Sequence, residues 1–340
     1  MKVFGNPRRA WCNAVVTPTP PSRRKPRLVA LSVILVVYIG LFWIVGVADK
    51  LILHPTRNNI DVPEGRRETI PFGGGQLELW TGRTRISASR GGEPLAFVVD
   101  YSPNAGRAEY ALMYGLGTWE GLAVEYVAVN YPGYGGSSGR ATLAGVHASA
   151  LAAYDAVAAR AGGRPIFVTG MSLGTTAALH VAANRPVAGV LLQNPVPLRE
   201  LILGKFGWWN LWVVALPVSR GVPVELDAIA NAARVTAPGV FVLADRDELV
   251  PPRFQMRVVD AFAGEKRLVS LFGGHNDMIE GSARTDLRRG IEWLWATKVG
   301  TTGDAALPRG IDPAATQVSD AMKQILTPAS TRPAPAGPRP

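Results

Sequence analysis

Cysteine and histidine are scarce in this sequence, and their scarcity limits its redox and metal chemistry. Among 340 residues there are one cysteine, Cys12, and four histidines. A single cysteine excludes an intramolecular disulfide and a thiolate metal cluster. None of the histidines has the H-E-x-x-H spacing of a zinc helix. The sequence therefore predicts no bound metal.

Glycine patterns that cradle nucleotide phosphates are also missing, although the chain has 37 glycines. The run that begins Gly133-Tyr-Gly135 has Ser138 where G-x-G-x-x-G requires its third glycine. The P-loop spacing G-x-x-x-x-G-K is absent as well. We expect neither a dinucleotide nor a nucleoside triphosphate, and no cofactor of any kind.

Acidic residues are absent from the first 27 positions, which carry seven basic side chains. Residues 300–340 carry four basic and three acidic side chains, so residues 28–299 hold only +2 of the total formal charge of +10. A surface that follows nucleic-acid phosphates needs its basic stripe in the folded body. The sequence therefore predicts no nucleic-acid partner.

One long apolar segment is present at residues 28–48, which read LVALSVILVVYIGLFWIVGVA without a charge. At about 1.5 Å per residue its 21 positions match a hydrocarbon layer of ~30 Å, and this length predicts a transmembrane signal anchor. The excess of basic residues before it predicts a cytoplasmic tail at 1–27 and a translocated body, periplasmic in a Gram-negative cell. A cleaved signal peptide, with Gly46 and Ala48 at the cleavage site, and a buried core helix are the alternatives.

After this segment, apolar strand-like runs alternate with helical patterns as far as residue 299. The predicted strands are 77–80, 95–101, 124–131, 165–170, 187–194, 239–245 and 267–272. The predicted helices are 141–161, 172–184, 252–262 and 283–298. Continuous apolar strands separated by helices predict an α/β domain over 49–299, with a mostly parallel sheet of about eight strands covered by helices on both faces. The Pro- and Ala-rich residues 300–340 predict a disordered tail.

A serine lies at a turn between a predicted strand and a predicted helix. The segment Gly170-Met-Ser172-Leu-Gly174 follows the strand PIFVTG and precedes the helix TTAALHVAA. Such a turn presents the hydroxyl above the edge of the sheet, and its glycines permit close backbone approach. An ordinary N-cap serine is the alternative.

Acidic and histidine residues follow two later strands in the order Ser, acid, His. The strand ending at Asp245 runs into Asp247-Glu-Leu-Val-Pro, and the strand RLVSLF runs into Gly-Gly-His275-Asn-Asp277. With three motifs in this order, the chain resembles the serine hydrolases of the α/β-hydrolase superfamily over about residues 50–298. It is most similar to the single-pass membrane-anchored branch that includes depalmitoylase-like and lipase-like enzymes, in which an apolar helix precedes a D-K-L-x-x-x-P segment, here Asp49 to Pro55.

The resemblance implies a catalytic triad. Ser172 would be the nucleophile, His275 the general base and then general acid, and Asp247 the acid that orients the histidine. Asp245 is the competing acid, but the family pattern puts the acid three residues before Val-Pro and so favours Asp247. Otherwise Asp245 would cap a loop, and Asp277 would hydrogen-bond the histidine loop.

The resemblance also implies an oxyanion hole, which requires two backbone N–H groups. These would come from Leu173, after the nucleophile, and from Asn104 in the loop that follows the strand LAFVVDY. That loop reads Ser102-Pro-Asn-Ala-Gly where the family often has His-Gly-Asn-Ala-Gly. A second segment, NYPGYGGSSG at 130–139, is similar to the family loop D-Y-R-G-Y-G-x-S-x-G, with Asn130 in place of aspartate.

An aromatic cluster lies at about residues 195–225, where the family carries a small cap. It contains Trp208, Trp209 and Trp212. One interpretation is an apolar cap over an acyl-binding pocket that also enters a bilayer interface. Ordinary packing of the cap onto the sheet is an alternative interpretation of equal weight.

These expectations combine into a membrane-anchored serine hydrolase. Its substrate would be a lipidic ester, thioester or similar acyl compound, cleaved through an acyl-enzyme, and its membrane contact would be residues 28–48. An acyltransferase or serine peptidase with the same triad, and a non-catalytic membrane-tethered binding module, are the alternatives. The sequence makes no prediction about oligomeric state.

Overall fold

The computed structural model describes residues 24–44, 46–58, 60–63, 65–89, 91 and 93–300. The chain divides into two units, Met1–Val45 and Gly46–Pro340. The predicted basic tail lies outside the described residues up to position 23, and the predicted disordered tail does so from position 301.

The described part of the first unit is one helix, α1 (Arg24–Ile44), and its apolar side chains at positions 28–38 are largely exposed. It ends four residues before the predicted apolar segment does. Gly46 then has a left-handed φ of 61° and precedes a separate short helix, α2 (Val47–Ile52), so the predicted segment 28–48 is not one continuous helix. In the part of the chain described, no helix combines the length and apolarity needed to cross a membrane. The predicted transmembrane helix is therefore not confirmed.

The second unit contains an eight-stranded sheet surrounded by helices. Its strands are β1 (Arg66–Phe72), β2 (Gly75–Arg83), β3 (Ala96–Tyr101), β4 (Val124–Asn130), β5 (Ile166–Met171), β6 (Gly189–Gln193), β7 (Gly239–Ala244) and β8 (Lys266–Leu271). Its longer helices are α4 (Ala108–Thr118), α5 (Leu143–Ala161), α6 (Leu173–Asn184), α7 (Leu198–Phe206), α10 (Pro252–Ala261) and α11 (Gly281–Lys298). Shorter helices are α3 (Arg85–Ser89), α8 (Ala215–Arg220) and α9 (Ala228–Ala232).

The sheet has the order β1-β2-β4-β3-β5-β6-β7-β8. Strand β2 pairs antiparallel with both of its neighbours, and β3 to β8 are parallel. This arrangement confirms the predicted, mostly parallel sheet of about eight strands. In a parallel array the carboxyl ends of the strands lie along one edge, and this edge carries the loops that follow β3, β5, β6, β7 and β8.

Both faces of the central strands are buried. Every residue of β3 and β4 is buried, which requires cover on both sides because alternate side chains point to opposite faces. Helices α4 and α11 share one hydrophobic core with strand residues, in which Phe167 contacts Trp119 and Trp295. Helix α5 packs on α6, and both contact β3.

Candidate active site

Ser172 lies on a sharp turn between β5 and α6. Its φ of 51° and ψ of −120° are unusual for a residue with a side chain, so the surrounding contacts must hold this conformation. The Ser172 N–H donates to the Gln193 carbonyl at the end of β6, at 2.9 Å. The hydroxyl makes no capping hydrogen bond to the helix. The turn therefore presents the hydroxyl without using it as an N-cap.

The glycines beside Ser172 are required by close backbone contacts. A Cβ on Gly170 would lie 2.5 Å from the Gly174 carbonyl oxygen, and a Cβ on Gly174 would overlap the Tyr101 carbonyl at the end of β3. The first turn of α6 thus packs directly against the loop that follows β3. This contact brings the predicted oxyanion loop to the serine turn.

His275 and Asp247 form a buried pair at the same edge of the sheet. His275 follows β8, Asp247 follows β7, and the distance from Nδ1 of His275 to Oδ2 of Asp247 is 2.6 Å. The two residues are 9% and 3% exposed, so little water competes for this hydrogen bond. Because Nδ1 is directed at the carboxylate, Nε2 is the ring nitrogen left to accept a proton from a nucleophile.

The two other aspartates of these loops make different contacts. Oδ1 of Asp245 accepts a hydrogen bond from the Gly273 N–H at 2.9 Å. Oδ2 of Asp277 accepts one from the Gly274 N–H at 2.8 Å. Both carboxylates therefore shape the loop that carries His275, while Asp247 contacts the imidazole itself.

The Asp247 carboxylate is held from two further sides. Oδ1 accepts the Val250 N–H at 2.7 Å, and Oδ2 also accepts Nε2 of Gln255 at 3.0 Å. Gln255 lies fully buried on α10, and its Nε2 donates a second hydrogen bond to the Val250 carbonyl at 2.8 Å. Sequence reasoning missed Gln255, because a helical glutamine eight residues after an acid forms no recognisable motif.

A second residue missed from the sequence is Asn194, which follows β6. Its Nδ2 donates to the His275 carbonyl at 2.8 Å, and its Oδ1 accepts the Ala244 N–H at 3.1 Å. It is fully buried with a φ of 49°, a left-handed conformation that asparagine tolerates better than most residues. Asn194 thereby fixes the histidine loop to the ends of β6 and β7.

Of the two predicted oxyanion donors, Leu173 directly follows Ser172, and Asn104 lies in the loop whose start packs against Gly174. Leu173 is the first residue of α6, where a backbone N–H has no partner within the helix. Asn104 lies in the loop after β3, in which the Gly106 N–H donates to the Pro103 carbonyl at 2.9 Å to close a turn. Oδ1 of Asn104 accepts the N–H of Ala105 at 3.0 Å, and Ala105 has a left-handed φ of 59°.

The side chain of Asn104 binds the end of α2 and the residues directly after it. Its Oδ1 accepts the His54 N–H at 3.0 Å and the Tyr134 hydroxyl at 3.2 Å. Its Nδ2 donates to the Ile52 carbonyl. The side chain therefore fixes the loop, and only its backbone is suited to an oxyanion. The neighbouring Ser102 is buried, and its hydroxyl has no hydrogen-bond partner among the described residues.

The glycine-rich loop 130–139 closes over a buried carboxylate. Glu78 accepts the Gly136 N–H and Nδ2 of Asn130, both at 2.7 Å, and pairs with Arg67. Burial by itself would raise the pKa of Glu78, but these partners together hold it below its ordinary value. A Cβ on Gly136 would lie 2.6 Å from Oε1 of Glu78, so this loop is built for a structural carboxylate.

The three cap tryptophans lie between α7 and α8, where Trp208 belongs to a short 3-10 helix, Trp208–Asn210. Trp208 is 68% exposed and Trp209 is 63% exposed, so neither is packed onto the sheet. Trp212 is also exposed, and its Nε1 donates to the Leu203 carbonyl at 3.2 Å.

The three other histidines, His54, His147 and His180, contact groups other than His275 and Asp247. Nδ1 of His54 is 3.1 Å from the Ile52 carbonyl oxygen, and His180 packs edge-to-face on His147 with ring centroids 5.4 Å apart. Burial lowers the pKa of both His147 and His180. No cluster of three or more possible metal-ligating side chains occurs among the described residues.

No protein-family model matches the chain, but individual curated relatives do. It is 31% identical over 175 residues to an uncharacterized protein of Mycobacterium tuberculosis strain H37Rv, covering 50% of this chain and 60% of that relative. It is 29% identical over 181 residues to the human alpha/beta hydrolase domain-containing protein 17B, covering 48% and 57%. The chain thus matches less than two thirds of the length of these relatives.

Solved structures match more of the chain. An esterase from Pyrococcus furiosus superposes with a TM-score of 0.55 at 12% identity, covering 73% of this chain and 98% of the esterase. Est1E of Butyrivibrio proteoclasticus with bound ferulic acid gives 0.56 at 17% identity, covering 68% and 98%. The chain has the α/β-hydrolase fold.

Proposed function

We propose that this protein is a serine hydrolase that cleaves a carboxylic ester, a thioester or a similar acyl bond through an acyl-enzyme on Ser172. The observation that carries the proposal is the buried hydrogen bond of 2.6 Å between His275 and Asp247. It lies at the sheet edge from which the strained Ser172 turn projects. The esterases among the structural neighbours are consistent with this chemistry.

In the first half of the reaction, Oγ of Ser172 attacks the substrate carbonyl and transfers its proton to Nε2 of His275. The bond to the leaving alcohol or thiol then breaks, and that group takes the proton from His275. Asp247 keeps the proton on Nδ1, which leaves Nε2 free to accept, and stabilises the imidazolium. Gln255 and the Val250 N–H hold the carboxylate in the orientation that this role requires.

In the second half, water attacks the acyl-enzyme and gives its proton to His275. The proton returns to Ser172 when the acid departs. In both halves the N–H groups of Leu173 and Asn104 stabilise the negative charge on the carbonyl oxygen. The Asn104 side chain supports this by fixing its loop to Ile52 and His54.

The proposed substrate class is lipidic. Exposed tryptophans on the cap and exposed apolar side chains at positions 28–38 of α1 are features of a protein that works at or near lipid. The apolar side chains of α1 also support the further proposal that residues 28–48 attach the protein to a membrane, with the basic N-terminus cytoplasmic and the domain from residue 49 onward on the opposite side.

A fluorophosphonate probe tests the central proposal, because it reacts covalently with an activated serine. We expect labelling of the detergent-solubilised full chain and complete loss of labelling in Ser172→Ala, which lacks the attacking oxygen. Turnover of p-nitrophenyl esters should fall at least about 10⁴-fold in Ser172→Ala and in His275→Ala.

Ser89→Ala is the matched control, since Ser89 is an exposed serine on α3. It should label like the wild type. Folded wild-type protein that neither labels nor hydrolyses short and long esters would contradict the proposal and favour a binding module. Acyl transfer to glycerol or a lysophospholipid that outruns hydrolysis would identify a transferase.

A further inference from the structure

The cap carries an exposed apolar surface that the proposed chemistry does not use. It consists of Trp208, Trp209, Leu211, Trp212 and Val213, and it is here called the cap patch. Leu211 is 77% exposed, the largest exposure among the large apolar side chains of the described residues. Clusters of this kind are uncommon on soluble monomers and mark contact surfaces.

The backbone of the cap patch is strained. Leu211 and Trp212 are consecutive residues with left-handed φ of 50° and 59°, and neither is glycine. The side chain of leucine, unlike that of asparagine, has no polar group that could hydrogen-bond locally and offset this cost. The Leu203 carbonyl, which accepts Nε1 of Trp212, and the Gly207 carbonyl, which accepts its N–H, hold the turn in place. In this conformation Leu211 points outward into solvent.

The cap patch is connected to the candidate active site. Helix α7 ends beside it, and Nζ of Lys205 on this helix donates to the carbonyls of Glu248 and Leu249, directly after Asp247. Leu249 and Phe272 are themselves exposed, and they follow β7 and β8 at the edge that carries the triad. Exposed apolar side chains thus occur on the cap and on both loops that carry His275 and Asp247.

The cap is also in contact with the end of the apolar sequence run. Helix α8 packs on α2, and a Cβ on Gly221 would lie 2.7 Å from Cβ of Ala48, the last residue of that run. Lys50 on α2 and Arg220 on α8 add exposed basic side chains at this contact. The cap and α2 thus expose tryptophan and leucine together with lysine and arginine, and surfaces that bind the interface of anionic membranes have this composition.

We propose that the cap patch docks on the headgroup region of an anionic bilayer and so presents the site to substrate in the lipid phase. The substrate part of this inference rests on the proposed function, whereas the docking part does not. Because the patch is displayed by a loop and short helices, it binds the interface without crossing the membrane.

The test places an environment-sensitive fluorophore on the patch in the full chain. Leu211→Cys in a Cys12→Ser background carries an NBD label, and Leu268→Cys carries the same label as control. Leu268 is 53% exposed on the edge strand β8, outside the cap. We expect vesicles of phosphatidylcholine and phosphatidylglycerol to shift the Leu211 label to the blue, and spin-labelled lipid to quench it. The Leu268 label should change little.

Attachment through residues 28–48 alone would leave the Leu211 label in water, and such a result overturns the proposal. A blue shift that depends on protein concentration without vesicles also overturns it, in favour of a second copy of the chain. A second label on Val213→Cys reports the effect of charges at the patch. With this label, Leu211→Asp should raise the lipid concentration needed for half of the blue shift at least about 10-fold, and Leu268→Asp should leave it unchanged. Repeating the binding with Ser172→Ala separates docking from turnover, since docking should persist in this variant.

Discussion

Asp245 and Asp247 lie two residues apart in the loop after β7, yet their hydrogen bonds indicate different roles. The Asp247 carboxylate accepts hydrogen bonds from the His275 ring, the Gln255 side chain and the Val250 N–H. Among the described residues, the Asp245 carboxylate accepts a hydrogen bond only from the backbone N–H of Gly273. An asparagine can accept a hydrogen bond from a backbone N–H as aspartate does. It cannot stabilise an imidazolium with its charge.

We therefore expect Asp247→Asn to reduce kcat for p-nitrophenyl esters by about 10³–10⁴-fold, because the amide favours the wrong tautomer of His275. Asp245→Asn should cost less than about 10-fold, since its contact survives the change. Circular dichroism of both variants verifies the fold. Equal losses in the two variants, or a larger loss in Asp245→Asn, would refute the assignment of Asp247 as the orienting acid.

The sequence predicts some of these residues and not others for a physical reason. Ser172 and His275 stand out because each follows a strand in a short motif, and strand ends are readable from apolar runs. Gln255 and Asn194 act through amide hydrogen bonds to a carboxylate and to backbone carbonyls. Those contacts depend on how separate loops meet in space, and no local spacing encodes that.

At the scale of elements, β3 combines a structural and an electrostatic role. It lies at the centre of the sheet, and its last residues lead into the Asn104 loop. It also buries Asp100, which accepts a hydrogen bond from Tyr126. Burial raises the pKa of Asp100 to about 7, despite the opposing effect of that hydrogen bond. Folding therefore disfavours the ionised carboxylate.

The sign of the resulting pH dependence follows from linkage. A pKa raised above the unfolded value of about 3.9 stabilises the fold at low pH, and this contribution is lost as pH rises through 7. Asp100→Asn removes the ionisation and keeps an acceptor for Tyr126. We expect its stability advantage over the wild type in urea unfolding to grow by about 2.5 kcal/mol between pH 5 and pH 8.

Asp61→Asn is the matched control, because Asp61 is exposed. It should show no such change with pH. A constant difference between Asp100→Asn and the wild type over this range would show that Asp100 does not titrate in the folded protein near neutrality.

Elements with continuous apolar runs were readable from the sequence, and mixed elements were not. All seven predicted strands occur, whereas β1 was missed because its sequence, RRETIPF, is polar and half-exposed at the sheet edge. Helix α4 was missed because Gly115 and Gly117 interrupt its pattern. In the structure Gly115 faces the ring of Tyr126, which fills the space that a side chain would occupy. Tertiary packing thus overrides helix propensity at this position.

At the scale of the whole molecule, the two units differ in how far their apolar side chains are buried. The second unit buries its strands on both faces, whereas α1 exposes the apolar side chains of its described residues. An apolar run in sequence has the same appearance whether it becomes a membrane segment, an exposed helix or a core element. Which of these structures an apolar run forms depends on whether lipid, solvent or other parts of the chain surround it, and a local sequence pattern does not specify that.

Extraction with alkaline carbonate tests the proposed attachment through residues 28–48. We expect the full chain to stay with the membrane pellet and a chain beginning at Gly46 to be released into the supernatant, because carbonate removes proteins held only at the interface. The shortened chain should keep its fluorophosphonate labelling. Release of the full chain by carbonate would contradict attachment through this segment. Protease added to intact spheroplasts should reach the domain if it has been translocated.

Helix α2 has a consequence for processing of the chain. The bond after Ala48 lies within the first turn of α2, where Lys50 N–H is bonded to the Gly46 carbonyl and Leu53 N–H to the Asp49 carbonyl. Peptidases bind their substrates in an extended conformation, so this bond is shielded once α2 has formed on α8. Removal of a leader at this site would have to precede folding. Maturation at Ala48 would then depend on the order of secretion and folding.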